Sequence, residues 1–133
     1  MKPLVWQARV YFEDTDSGNV VYYANYLKFL ERARTEWLRS LGFQQNALMK
    51  DHGMMFAVVS VRADYLKPAR LDDLLFISCE PQLQRASLHF KQQIRRGSED
   101  GELLLDAEIR VACLDANNFK PRRLPAQMIQ ETS

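Results

Sequence analysis

The stretch EDTDSGNVVYYANYLKFLERARTEW, residues 13–37, opens with three carboxylates (Glu13, Asp14, Asp16) within four residues, passes a small-residue turn and becomes amphipathic. From Tyr23 to Leu41 the apolar positions Tyr26, Phe29, Leu30, Ala33, Trp37 and Leu41 recur at spacings of three and four, which is one face of a helix. Lys28, Glu31, Arg32, Arg34, Glu36 and Arg39 mark the other face, with Arg32 and Glu36 spaced as an (i, i+4) pair. Gly42 stands where a left-handed residue closes a helix. The spacing predicts one long helix of about 28 Å.

Patterns of period two surround it. LVWQARVYF (4–12) alternates as a strand, and a short helical turn is expected near Asn46 to Asp51. In FAVVSVRADY (56–65), Ala57, Val59, Val61, Ala63 and Tyr65 share one face, and Pro68 ends the strand. DLLFISCEPQL and ASLHFKQQIRR are two more strands, and GSEDG (97–101) is a hairpin turn with a glycine at each end. Leu103 to Leu114 alternates cleanly, and a short helix is expected after Pro125. A strand, a long helix and four strands joined by short turns predict one α+β domain over residues 1–133. Its five-stranded, mainly antiparallel sheet wraps a single helix. Such a sheet leaves an edge strand unprotected, and dimerisation is the simplest cover.

The composition narrows the function. An apolar fraction of 47% belongs to a globular chain. Lys plus Arg is 18 and Asp plus Glu is 17, a net charge of 18 − 17 = +1, which lacks the basic bias of a nucleic-acid binder. The longest apolar run, MMFAVV, is far short of the roughly 20 residues of a membrane span, and no signal-peptide core opens the chain. A cytoplasmic protein is the expectation. Cys79 and Cys113 have neither metal-ligand spacing nor a disulfide framework and read as small buried hydrophobes.

Few groups are left for chemistry. There is no G-x-S-x-G motif, no glycine-rich phosphate loop and no ligand cluster for a metal, so neither metal nor cofactor is expected. His89 falls on the polar register of its strand, and His52, beside Gly53, reads as a loop residue. The carboxylates before the helix remain. One of them could act as base or nucleophile, with free N–H groups at the helix start receiving an oxyanion, an arrangement sufficient for acyl transfer. Alternatively, Asp14 and Asp16 only cap the helix.

VYFEDTDSGNVVYYANYLKFLERARTEWL (10–38) resembles the opening signature of the hotdog-fold acyl-CoA thioesterases of the 4-hydroxybenzoyl-CoA thioesterase type. It is closest to their Tol–Pal-associated (YbgC-type) branch. The likeness continues through VRADYLKPARLDDLL and VACLDANNFKPRRLP, so it covers almost the whole chain. It implies a hotdog fold, one helix wrapped by the sheet, and hydrolysis of an acyl-CoA. Asp16 matches the catalytic carboxylate, and Glu13 and Asp14 match structural positions. The helix start falls near Tyr22 and Tyr23, which makes the Tyr23 N–H the oxyanion donor. Tyr23 stands where many members of the branch carry histidine, and S-G-N replaces the commoner turn before the valines. The implied CoA phosphates need basic residues, for which Lys67, Arg70, Arg85 and Arg122 or Arg123 are candidates. The implied assembly is a homodimer or tetramer with sites between subunits.

Two other classes use the same architecture. Hydratases and dehydratases of this fold need a histidine in the site, and no histidine occurs between Met1 and Asp51. A non-catalytic subunit docking an acyl carrier protein or a phospholipid enzyme would instead use the exposed helix face and the arginine pairs.

Overall fold

The apolar stripe of the opening stretch does form the central helix. A computed structural model describes residues 3–132. Its elements are β1 (Leu4–Arg9), a 3-10 turn (Phe12–Asp14), α1 (Asn25–Ser40), α2 (Gln45–His52), β2 (Met54–Tyr65), β3 (Leu74–Leu83), β4 (Ser87–Arg96), β5 (Glu102–Asp115) and α3 (Ala126–Thr132). α1 buries Tyr26, Phe29, Leu30, Ala33, Trp37 and Leu38, and Gly42 behind it takes the expected left-handed conformation, φ 91°.

One antiparallel sheet in the order β1-β3-β4-β5-β2 receives that stripe. Its helix-facing side is apolar but for the amide of Gln92. Leu75, Ile77 and Cys79 lie on β3, Leu88, Phe90 and Ile94 on β4, and Leu105, Ala107, Ile109, Val111 and Cys113 on β5, all buried. Trp37 meets Phe90 edge to face with ring centroids 5.2 Å apart, a contact that adds to the area it buries. This is the hotdog arrangement.

The structure corrects the sequence reading in several places. β2 does not form a hairpin with β3. Residues 66–73 carry the chain across the sheet, and β2 pairs with β5 at the far edge. Its alternation breaks at a bulge between Val58 and Ser60, which leaves both faces exposed there. Glu36 pairs with Arg39 and not with Arg32, whose guanidinium lies over the Phe29 ring. His52 ends α2 and is not a loop residue, and His89 is half-buried. Arg34, assigned above to the polar face, is half-buried against the sheet.

The β4–β5 turn gives a test of backbone fit. Gly97 has φ 81° but open space around it, whereas a Cβ on Gly101 would lie 1.9 Å from the Arg96 carbonyl oxygen. Gly97→Ala should cost about 1 kcal/mol. Gly101→Ala should cost more, about 2 kcal/mol or above, because backbone has to move. Urea unfolding of the two variants measures the difference, and equal losses would mean that the turn simply relaxes.

Candidate active site

The three opening carboxylates have three different environments. Asp14 is 7% exposed. Its Oδ2 accepts the Tyr11 N–H at 2.8 Å and its Oδ1 accepts the Asn25 side-chain amide at 3.0 Å. Its carbonyl also accepts the Tyr22 N–H. Asp14 thus fastens the 3-10 turn to the first residue of α1. Glu13 is exposed. Asp16 is exposed too, and its Oδ1 accepts the Gly18 N–H at 2.8 Å, which fixes the carboxylate within its own turn. Its Oδ2 takes no donor among the described residues. Capping of α1 is therefore the role of neither aspartate, since the N-cap position is Ala24, with no side-chain cap bond.

Asn19 takes φ 60° and lets the turn reverse after Gly18, a conformation asparagine tolerates better than most residues. The Asp16 N–H then donates to the Val20 carbonyl. The returning chain is sewn to residues 69–71: Val20 bridges Arg70, the Val21 N–H donates to Ala69 O, and the Leu71 N–H donates to Asn19 O. Arg96 grips both ends of that second segment. It pairs with Asp73, donates to the Pro68 carbonyl at 3.2 Å and pairs with Glu102 at 2.9 Å. The Asp73 carboxylate also accepts the Arg70 N–H at 2.8 Å.

Tyr23 lies just before α1. Its carbonyl accepts the Tyr65 hydroxyl at 2.8 Å, which ties the helix start to the end of β2. Tyr22 and Asn25 donate their N–H groups to Asp14 O and Tyr22 O. The Tyr23 N–H has no acceptor among the described residues and is free to receive an oxygen.

The basic candidates divide between the two ends of the sheet. Arg70 is beside the Asp16 turn through the Val20 bridge, and Lys67, exposed, hangs from β5 at the same end. Arg85 follows the far end of β3, whose first residue Leu74 pairs with Arg9 near the turn. The length of β3 separates Arg85 from Asp16 by roughly 30 Å. Arg122 is at that distant end too, with its guanidinium donating to the His52 carbonyl and its N–H to Cys113 O. Of these basic candidates, Lys67 and Arg70 share the Asp16 end of the sheet, and Arg85 and Arg122 lie at the other.

No thiol competes for the chemistry. Burial pushes the Cys79 thiol up to about 12 and the Cys113 thiol up to about 11, so both are protonated near neutrality. Among the described residues, no group of three His, Cys, Asp or Glu side chains could hold a metal ion, and no helix is long and apolar enough to cross a membrane. The sequence reading missed Gln92, fully buried on β4 and bonded to Arg34 at 3.0 Å. The signal was available, because Gln92 continues the buried register Leu88, Phe90, Ile94.

Residues 18–102 match the thioesterase superfamily. The chain belongs to that family. It is 46% identical over 127 residues to the acyl-CoA thioester hydrolase YbgC of Escherichia coli O157:H7, covering 95% of this chain and 92% of that protein. A probable thioesterase from Bartonella henselae superposes with a TM-score of 0.85 at 38% identity, over 93% of this chain and 100% of that one. The 4-hydroxybenzoyl-CoA thioesterase of Pseudomonas sp. strain CBS-3 has the same fold, with a TM-score of 0.88 at 22% identity over 98% of this chain and 99% of that one.

In this thioesterase-family chain the buried Asp14–Asn25 bond predicts its own test. Asn25→Ala removes one donor from a buried carboxylate and should cost about 1–3 kcal/mol. Urea unfolding reads that loss, and an unchanged midpoint would show that Asp14 does not anchor the helix.

Proposed function

We propose that this chain hydrolyses acyl-CoA thioesters with Asp16 as the reacting carboxylate and the Tyr23 N–H as the oxyanion donor. The observation that carries the reading is the pairing of a turn-held carboxylate, with one oxygen unspent, and an unpaired N–H at the start of α1. Asp16 acts on the thioester carbonyl as nucleophile or as the base for a water. In both cases negative charge develops on the carbonyl oxygen, and a fixed N–H stabilises it without reorganising. The thiolate of CoA leaves readily, so no metal is needed to drive the step. The thioester hydrolase named among the relatives supports the substrate class.

The working unit in this proposal is a homodimer joined through β2. That strand is an edge of 12 residues, with Val58, Val59 and Val61 about half exposed, and such edges seek a partner strand. Two copies paired antiparallel about the midpoint of β2 would set the Tyr65 end of one beside the Met54 end of the other. Because Tyr65 holds Tyr23, each Asp16 turn would then approach the partner's α1–β2 groove and its Arg122 end. Lys67 and Arg70 would serve the CoA of their own chain's site, and Arg85 and Arg122 that of the partner's site.

Asp16→Asn keeps an oxygen for the Gly18 N–H, so the protein should fold normally while thiol release from acyl-CoA falls about 100-fold or more. Full activity in that variant would exclude Asp16 as the reacting group. Arg70→Ala should raise KM more than it lowers kcat, and an unchanged KM would remove Arg70 from the CoA contacts. Val61→Asp should convert the dimer to monomer in sedimentation runs, and a wild type that sediments as a monomer at micromolar concentration would sink the shared-site assembly.

A further inference from the structure

The mechanism above makes no use of a cavity of about 200 Å³ between α1 and the sheet, floored by Phe56, Leu88, Phe90 and Val111 and walled by Glu31 and Arg34.

Arg34 supplies the charge in this wall. Its Nη1 donates to Gln92 Oε1, and no carboxylate lies within ion-pair distance of it among the described residues. Gln92 is held rigidly, since its Nε2 donates to the Leu30 carbonyl at 3.1 Å and to the Ser78 carbonyl at 3.4 Å. Its oxygen can therefore only face Arg34. Every buried side-chain N or O atom described has a partner, so the other guanidinium donors reach accessible space, and the cavity is the space Arg34 lines. Glu31 stands exposed at the mouth, where its carboxylate accepts the Thr35 hydroxyl at 3.0 Å.

A guanidinium drawn partly out of water and fixed by a neutral amide feels the charge of Glu31 but has no carboxylate at ion-pair distance among the described residues. We infer that this cavity is the acyl subsite, and that Arg34 makes it selective for acyl groups ending in a carboxylate, gripped through the unspent donors of its planar fork. This inference rests on the proposed reading of the site, because the two-fold pairing brings the cavity of one copy to the Asp16 turn of the other. Glu31 opposes the same ligand from the rim, so its charge tempers the selectivity.

The test compares kcat/KM for glutaryl-CoA with that for valeryl-CoA, its methyl-ended counterpart of equal chain length. Wild type should favour glutaryl-CoA. Arg34→Met should lower the glutaryl value about 10- to 100-fold with little change for valeryl-CoA, the loss expected for a hydrogen-bonded charge, and Arg34→Lys should recover part of it. Should Arg34→Met fail to fold, the exposed Glu31→Gln serves, and it should raise the glutaryl-to-valeryl ratio roughly two- to fivefold. A wild type that prefers valeryl-CoA, or a ratio unmoved by Arg34→Met or by Glu31→Gln, overturns the proposal. Asp16→Asn in the same assay separates the two ideas. Full activity there refutes the Asp16 mechanism, while the substrate ratio still decides for or against Arg34.

Discussion

Residues 19–21 and 69–71 lie about fifty positions apart in the chain, and the short backbone ladder between them sets the position of everything else at this end of the molecule. The Asp16 turn has no helix or sheet of its own, so its shape is borrowed from that second segment. The segment is in turn held by Arg96, which reaches from the end of β4 to Pro68, Asp73 and Glu102. A half-buried guanidinium with several acceptors loses fewer degrees of freedom per bond than separate surface pairs would. Tyr26 adds a link from α1, its hydroxyl accepting the Ala69 N–H at 3.0 Å. Sheet, crossing loop, turn and helix start are thereby one connected unit.

The crowding of Glu13, Asp14 and Asp16 is resolved by separating their environments. Asp14 is buried and spends both oxygens on donors, one of them the first residue of α1. Its charge is answered by hydrogen bonds where an unanswered one would be costly. Asp16 follows in the next turn but faces out, with only the Gly18 N–H upon its carboxylate among the described residues. Gly18 permits this because a Cβ there would come within 3.3 Å of Asp16 Oδ1. One carboxylate builds the turn, and its neighbour is presented by it.

Much of the fold was legible in the sequence because periodicity reports burial. The α1 stripe, the β5 alternation and the turn at Asn19 follow from spacing and side-chain type alone. What escaped depends on long-range pairing. Nothing local in FAVVSVRADY distinguishes an edge strand paired with β5 from a hairpin partner of β3, and the Val58–Ser60 bulge appears only once β5 is its neighbour. Arg34 reads as surface because arginine usually is, yet it lies four residues from both Leu30 and Leu38 on the buried stripe. The capping role considered for the aspartates was a local inference that Asp14's tertiary bonds displaced. Asp16 and Arg70 were singled out separately, and the adjacency of their two segments comes from the crossing loop and not from sequence spacing.

In the proposed reading, that crossing leaves one chain short of a complete thioester site. By carrying β2 to the far edge, it leaves exposed valines on a long strand and strands Arg85 and Arg122 at the opposite end from Asp16. A two-fold axis through the middle of β2 would answer both problems in one step, since an antiparallel edge pair exchanges the ends of the strand. The unpaired backbone groups would find partners, and the distant basic end of one copy would meet the catalytic turn of the other. On this reading the exposed edge of β2 serves the chemistry, because the same pairing that protects the strand assembles the site.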